Sequence, residues 1–154
     1  KLKVVNTLFG GYFGSRLMTN IREEKGYTYG IGSVLMSKMD MANFIIYTEV
    51  GREVTQPALD EIRKEIITLQ TKKTSEEELE KVKNYMLGSL LQNTDGPFDM
   101  LEQFKTLYFH NLPLNYYSEY IKEIKSTTTE DITNLAQAYL NDLTIVVAGS
   151  EKVN

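Results

Sequence analysis

The sequence predicts an α+β domain: a small, mostly antiparallel sheet of about three strands with several helices packed on one face. Three observations lead there. Two neighbouring segments, residues 27–36 and 42–50, alternate apolar and polar with the period of a strand. From Val54 onward the apolar period changes to helical and stays so through several segments. One late apolar run, Leu143 to Ala148, has the composition of a buried strand. Strands first and helices after favour helices layered on one side of a sheet.

At the N-terminal end, Leu2, Val5, Leu8 and Phe9 fall at helical spacing, then Gly10 and Gly11 interrupt. In a helix interior each glycine costs about 1 kcal/mol relative to alanine, so these two mark a kink or a close backbone approach. A second amphipathic stretch, Phe13, Leu17 and Ile21, runs to Arg22, and Gly26 supplies the stop after it. The next segment places Tyr29, Ile31 and Leu35 on one face of a strand. Phe44, Ile46 and Thr48 do the same on its partner, with Ser37 to Asp40 as the hairpin turn.

Ala58, Ile62, Ile66 and Leu69 form the stripe of the next helix, which ends near Gln70. Ser75 and Glu78 have capping-box spacing at the start of another, carried by Leu79, Val82, Met86 and Leu90. Asp95-Gly96-Pro97 is a break. Helices then cover Phe98 to Phe109 and, after Pro113, Tyr116 to Ile124. Thr128 and Asp131 box a last helix through Leu140, and Asn141-Asp142 ends it before the late strand. Three strands make a thin sheet for so many helices. With Lys1 in place of methionine and helix from the outset, the chain is expected to be one domain, 1–154, truncated at its N-terminus and short of a strand there.

Composition narrows the chemistry. The chain has 154 residues, 42% hydrophobic and 25% charged, the profile of a globular domain. No apolar run approaches the roughly 20 residues that span a bilayer. A net charge of -4, with lysines alternating with glutamates, argues against a nucleic-acid surface. The absence of cysteine excludes disulfides and thiolate metal sites, and leaves cytoplasm and bacterial periplasm equally open for a soluble chain. The single histidine, His110, is one ligand where zinc needs three or four. No G-x-S-x-G elbow, P-loop or G-x-G-x-x-G pattern is present. Glu23 and Glu24 are adjacent and so diverge on a helix, a poor acid–base pair.

Arg22 and Tyr29 remain. A glycine-containing turn joins the helix end that carries one to the strand start that carries the other. A guanidinium with five donors and a neutral phenol can together hydrogen-bond a peptide carbonyl or an oxyanion. The plainer alternative is an arginine capping carbonyls and a tyrosine half-buried in the sheet.

The run Gly10-Gly11-x-Phe13-x-Ser15-Arg16-Leu17, with Ile21-Arg22-Glu23-Glu24-Lys25-Gly26-x-x-Tyr29 after it, resembles the pitrilysin/insulinase family of zinc metallopeptidases, the family of the mitochondrial processing peptidase. The match is to its C-terminal, non-zinc half-domain. The helix opening at Glu53 to Leu59, the acidic segment Ser75 to Lys81 and the closing run Asn141 to Gly149 support it, so the resemblance covers nearly the whole chain. It implies two homologous α+β halves facing each other, with H-x-x-E-H and a distal glutamate holding zinc in the other half. It also implies that Arg22 and Tyr29 bind substrate near that zinc. H-x-x-E-H is absent here. The expectation is therefore a substrate-binding portion, inactive by itself, that binds no cofactor; zinc and the catalytic groups come from a homologous zinc-bearing half-domain or subunit, and the substrate is a peptide. Peptide can add as a strand at a sheet edge, 27–36 or 42–50. Two alternatives stand beside it: a non-catalytic scaffold subunit of the same fold, and an unrelated small α+β binding domain.

Overall fold

The computed structural model describes residues 1–38, 41–92 and 96–149. Met39 and Asp40 of the expected hairpin turn, and Asp95 of the expected break, lie outside the described residues.

Among the described residues, two strands form the sheet. β1 (Ile31–Lys38) and β2 (Met41–Thr48) pair antiparallel, with Ile31 opposite Thr48, Ser33 opposite Ile46 and Leu35 opposite Phe44. Those side chains face the helices. Val34, Met36, Ile45 and Tyr47 stand on the other face and are exposed. The alternation expected of both segments is thus realised, with strand limits moved. The first strand starts at Ile31 rather than 27, which leaves Tyr29 in the approach to it.

Against the inner face lies the N-terminal helix. α1 (Leu2–Asn6) continues into a π-helical turn, Thr7–Gly11. Val4, Val5, Leu8 and Phe9 are essentially solvent-free there, and the Phe9 ring meets that of Phe44 at 6.0 Å. Gly10 lets this helix touch the sheet: a Cβ at that position would lie 2.6 Å from Ser33 Oγ and 2.7 Å from Ser33 N. The close-approach reading of the glycine is the one the structure realises.

The remaining helices close the core from behind. α2 (Thr55–Thr71) buries Ala58, Ile62, Ile66 and Leu69; α3 (Glu76–Gln92) buries Leu79, Val82 and Met86. α4 (Pro97–Phe109) starts with proline at its first turn, where a missing N–H costs nothing. α5 (Tyr116–Ser126) and α6 (Thr129–Tyr139) complete the set, and α6 opens on a complete Thr128–Asp131 capping box. Helix α6 packs on α1 and α2, while α5 packs on α3. The Ser75–Glu78 box is half made: Ser75 Oγ accepts from Glu78 N–H at 3.1 Å, but the Glu78 carboxylate turns away to Arg16.

Residues 143–148, expected as a third strand, run without helix, turn or bend and join no ladder among the described residues. Among the described residues no helix is long and apolar enough to cross a membrane.

Candidate functional site

A second π-helical segment, Met18–Glu24, carries Arg22. Two polar clamps fix it. Just ahead of it, Arg16 forms a two-pronged ion pair with Glu78 of α3, Nε to Oε1 at 2.7 Å and Nη2 to Oε2 at 2.8 Å. Within it, Asn20 Nδ2 donates to Glu65 Oε1 at 2.7 Å and Glu61 Oε2 at 3.0 Å of α2. That Asn20 hydrogen bond holds the Glu61 carboxyl below its ordinary range.

The segment ends at Gly26, whose φ of 66° is left-handed and favours glycine. Tyr27 N–H then reaches back to the Ile21 carbonyl at 3.0 Å. This is the closing bond of a Schellman end, widened by one residue by the π geometry. A knot of threonines anchors the approach to β1. Thr28 Oγ1 donates to the Glu49 carbonyl at 2.6 Å and accepts from Gly30 N–H at 3.1 Å. Thr48 Oγ1 donates to the Gly30 carbonyl at 3.0 Å. Tyr29, between these bonds, projects wholly into solvent at 101% exposure.

Arg22 and Tyr29 line one open cavity of about 990 Å³, together with Glu23, Thr28, Glu49 and Gly51. Neither the capping role for Arg22 nor the half-buried role for Tyr29 fits this arrangement. Arg22 is half-buried, and its guanidinium lies over the Phe13 ring, 4.7 Å from the centroid. Phe13, read in the sequence as part of an apolar helical stripe, is 63% exposed and props the arginine instead. No local spacing rule announces that contact. The contact between Thr28 and Thr48, Oγ1 to Oγ1 at 3.2 Å, was also missed; its signal is a threonine just before the first strand and another ending the second, which becomes readable once the register is known.

The cavity offers charged and neutral donors beside two carboxylates. Among the described residues no three His, Cys, Asp or Glu side chains gather where an ion could sit. His110 closes α4 as an exposed residue. These side chains do not fit zinc.

Comparison with known proteins gives the class. Residues 1–86 match the model of the peptidase M16 inactive domain, and the chain belongs to that family. It is 27% identical over 99% of its length to the non-peptidase homolog YmxG of Helicobacter pylori, covering 36% of that protein. It is 30% identical over 88% of its length to a zinc protease YmxG, uncharacterized, of Bacillus subtilis, covering 33% of it. The chain thus spans about a third of the length of the curated relatives it matches. Among solved structures, it is similar to the inactive peptidase domain of a zinc protease candidate from Bordetella parapertussis, with a TM-score of 0.76 and 18% identity. That match covers 90% of this chain and 75% of the other.

Proposed function

We propose that this chain is the substrate-binding portion of a zinc-dependent peptidase, with Arg22 and Tyr29 gripping the peptide and the zinc held in another domain or subunit. The observation that carries the reading is the shared cavity: a permanent cation and a free phenol, on separate segments, are brought to one open recess. Arg22 supplies charge-assisted hydrogen bonds to a peptide carbonyl, and Tyr29 a neutral one. The Phe13 ring holds the guanidinium in place before substrate arrives, which lowers the ordering cost of binding, and the threonine knot fixes the backbone from which Tyr29 projects. Cleavage is not assigned to this chain. The deciding experiment assembles it with a zinc-bearing half and measures peptide turnover by Arg22→Ala and Tyr29→Phe; turnover equal to the parent in both removes the assigned roles.

A scaffold role is the second reading, and the name of the Helicobacter pylori relative, a non-peptidase homolog, favours it. The zinc content of the whole protein separates the two. A whole protein with no H-x-x-E-H, no partner carrying one and no bound zinc is a scaffold.

A further inference from the structure

The wide winding of Met18–Glu24 has no source in its own sequence. Helices closed by i→i+5 bonds are rare, short and frequent at functional sites. Here Lys25 N–H donates to the Asn20 carbonyl at 3.0 Å, a bond across five residues that sets residue 25 over residue 20. In an α-helix the same two residues would point about 140° apart.

One carboxylate on α2 meets both of them. Glu61 accepts from Asn20 Nδ2 at 3.0 Å through Oε2 and pairs with Lys25 Nζ at 3.9 Å through Oε1. Lys64, one turn along α2, donates to the same carboxylate at 3.3 Å and orients it. Ala58 and Ile62, buried on either side of Glu61, fix the helix it stands on. Asn20 is itself buried, and its Oδ1 has no hydrogen-bond partner among the described residues. Its amide is therefore held by the donor side, to Glu61 and Glu65. A carboxylate suits the junction because its two oxygens can accept from an amide and pair with a cation at once. Side chains 20 and 25 converge on it only while the turn between them stays wide. Arg22 lies inside that turn, with its guanidinium over Phe13 at the mouth of the cavity shared with Tyr29.

We infer that Glu61 is a positioning residue for Arg22: by tying Asn20 and Lys25 to one point on α2, it holds the winding that lays the guanidinium over Phe13 and into the cavity. Without that tie the stretch winds back to α, residues 20 and 25 part, and Arg22 turns off the ring. The effect on turnover rests on the reading of Arg22 as a peptide-gripping residue; the effect on geometry does not.

Two measurements on the full-length polypeptide keep these apart. The first is NMR of arginine-labelled protein, with the Arg22 signals identified by their loss in Arg22→Lys. In the parent these side-chain protons should carry an upfield ring-current shift that Phe13→Leu removes. Glu61→Ala should remove it too, and so should Lys25→Met, which cuts one arm of the tie at an exposed residue. Ile66→Val, which loosens the same helix by one buried methyl group, should keep it. No shift in the parent, a shift unchanged in Glu61→Ala or Lys25→Met, or a shift lost in Ile66→Val overturns the proposal. The second is peptide turnover with the zinc-bearing half present. Glu61→Ala should lower kcat/KM about three- to tenfold, part of the loss from Arg22→Ala, and should cost nothing further in an Arg22→Ala background. Additive losses overturn the positioning role. Parental turnover in Arg22→Ala, with the ring-current changes as expected, removes the peptide-gripping reading and leaves the positioning role standing.

Discussion

Adding one methyl group at Gly10 and, separately, one at Gly88 should move stability in opposite directions. Both glycines sit in helical backbone, where alanine is intrinsically better by about 1 kcal/mol. At Gly88, in α3, a Cβ meets nothing within 4 Å, so Gly88→Ala keeps most of that gain. At Gly10 the same Cβ meets Ser33 Oγ at 2.6 Å, Ser33 N at 2.7 Å and Ser33 Cβ at 2.9 Å. The hydroxyl can rotate, but the strand nitrogen cannot leave without pulling β1 off the helix. Overpacking of this kind costs about 1–3 kcal/mol; a clash with strand backbone falls in the upper part of that range, about 2–3 kcal/mol, so after the propensity gain Gly10→Ala should be destabilised by roughly 1–2 kcal/mol. For a chain of this size that is about 3–6 °C in Tm, against a rise of about 2–3 °C for Gly88→Ala. Thermal unfolding followed by circular dichroism reads both. A Gly10→Ala protein at least as stable as Gly88→Ala would refute the close contact between α1 and β1.

Three further outcomes are expected from the structure. Phe13→Leu should lower kcat/KM of the assembled peptidase about two- to fivefold, the worth of an exposed cation–π contact, and should cost nothing more in an Arg22→Ala background; additive losses would show that Phe13 does not act through the arginine. Arg16→Lys keeps the charge but loses the fork to Glu78, so urea unfolding should show a loss of about 1–2 kcal/mol, and an unchanged midpoint would contradict the clamp. The Thr128 backbone N–H, first, and Lys1 hold the Asp131 carboxyl below its ordinary range. Its contribution is therefore present above the unfolded value of about 4 and is lost as pH falls through the folded one. Urea midpoints measured from pH 6 to pH 3 should fall less steeply for Asp131→Asn than for the parent, and parallel curves would count against it.

Much of the fold was legible because local pattern and tertiary burial agree. Ala58, Ile62, Ile66 and Leu69 were a helical stripe in the sequence and are the buried face of α2. Thr128 and Asp131 met in a box because Lys1, which also reaches the Asp131 carboxylate, leaves its bonds to Thr128 intact. Where competition exists, spacing misleads: Glu78 has box spacing from Ser75, but a two-pronged guanidinium outcompetes one backbone N–H. Residues 143–148 show a different limit. Strand composition is only half of a strand, and the pairing partner lies beyond what the segment itself encodes. Tyr29 was assigned to strand by alternation, while the left-handed Gly26 and the Thr28 bonds hold it out in solvent. Arg22 and Tyr29 themselves stood out through family resemblance, since neither π-helical geometry nor the Phe13 contact has a sequence signature.

The central claim is that this chain grips peptide for a zinc centre it does not contain, and peptide turnover by the zinc-bearing assembly tests it most directly. Arg22→Ala should lower kcat/KM about ten- to hundredfold, the worth of a charge-assisted hydrogen bond, and Tyr29→Phe about two- to tenfold. Bound zinc and thermal stability should stay unchanged in both. Parental turnover in both variants, with zinc bound, would contradict the claim.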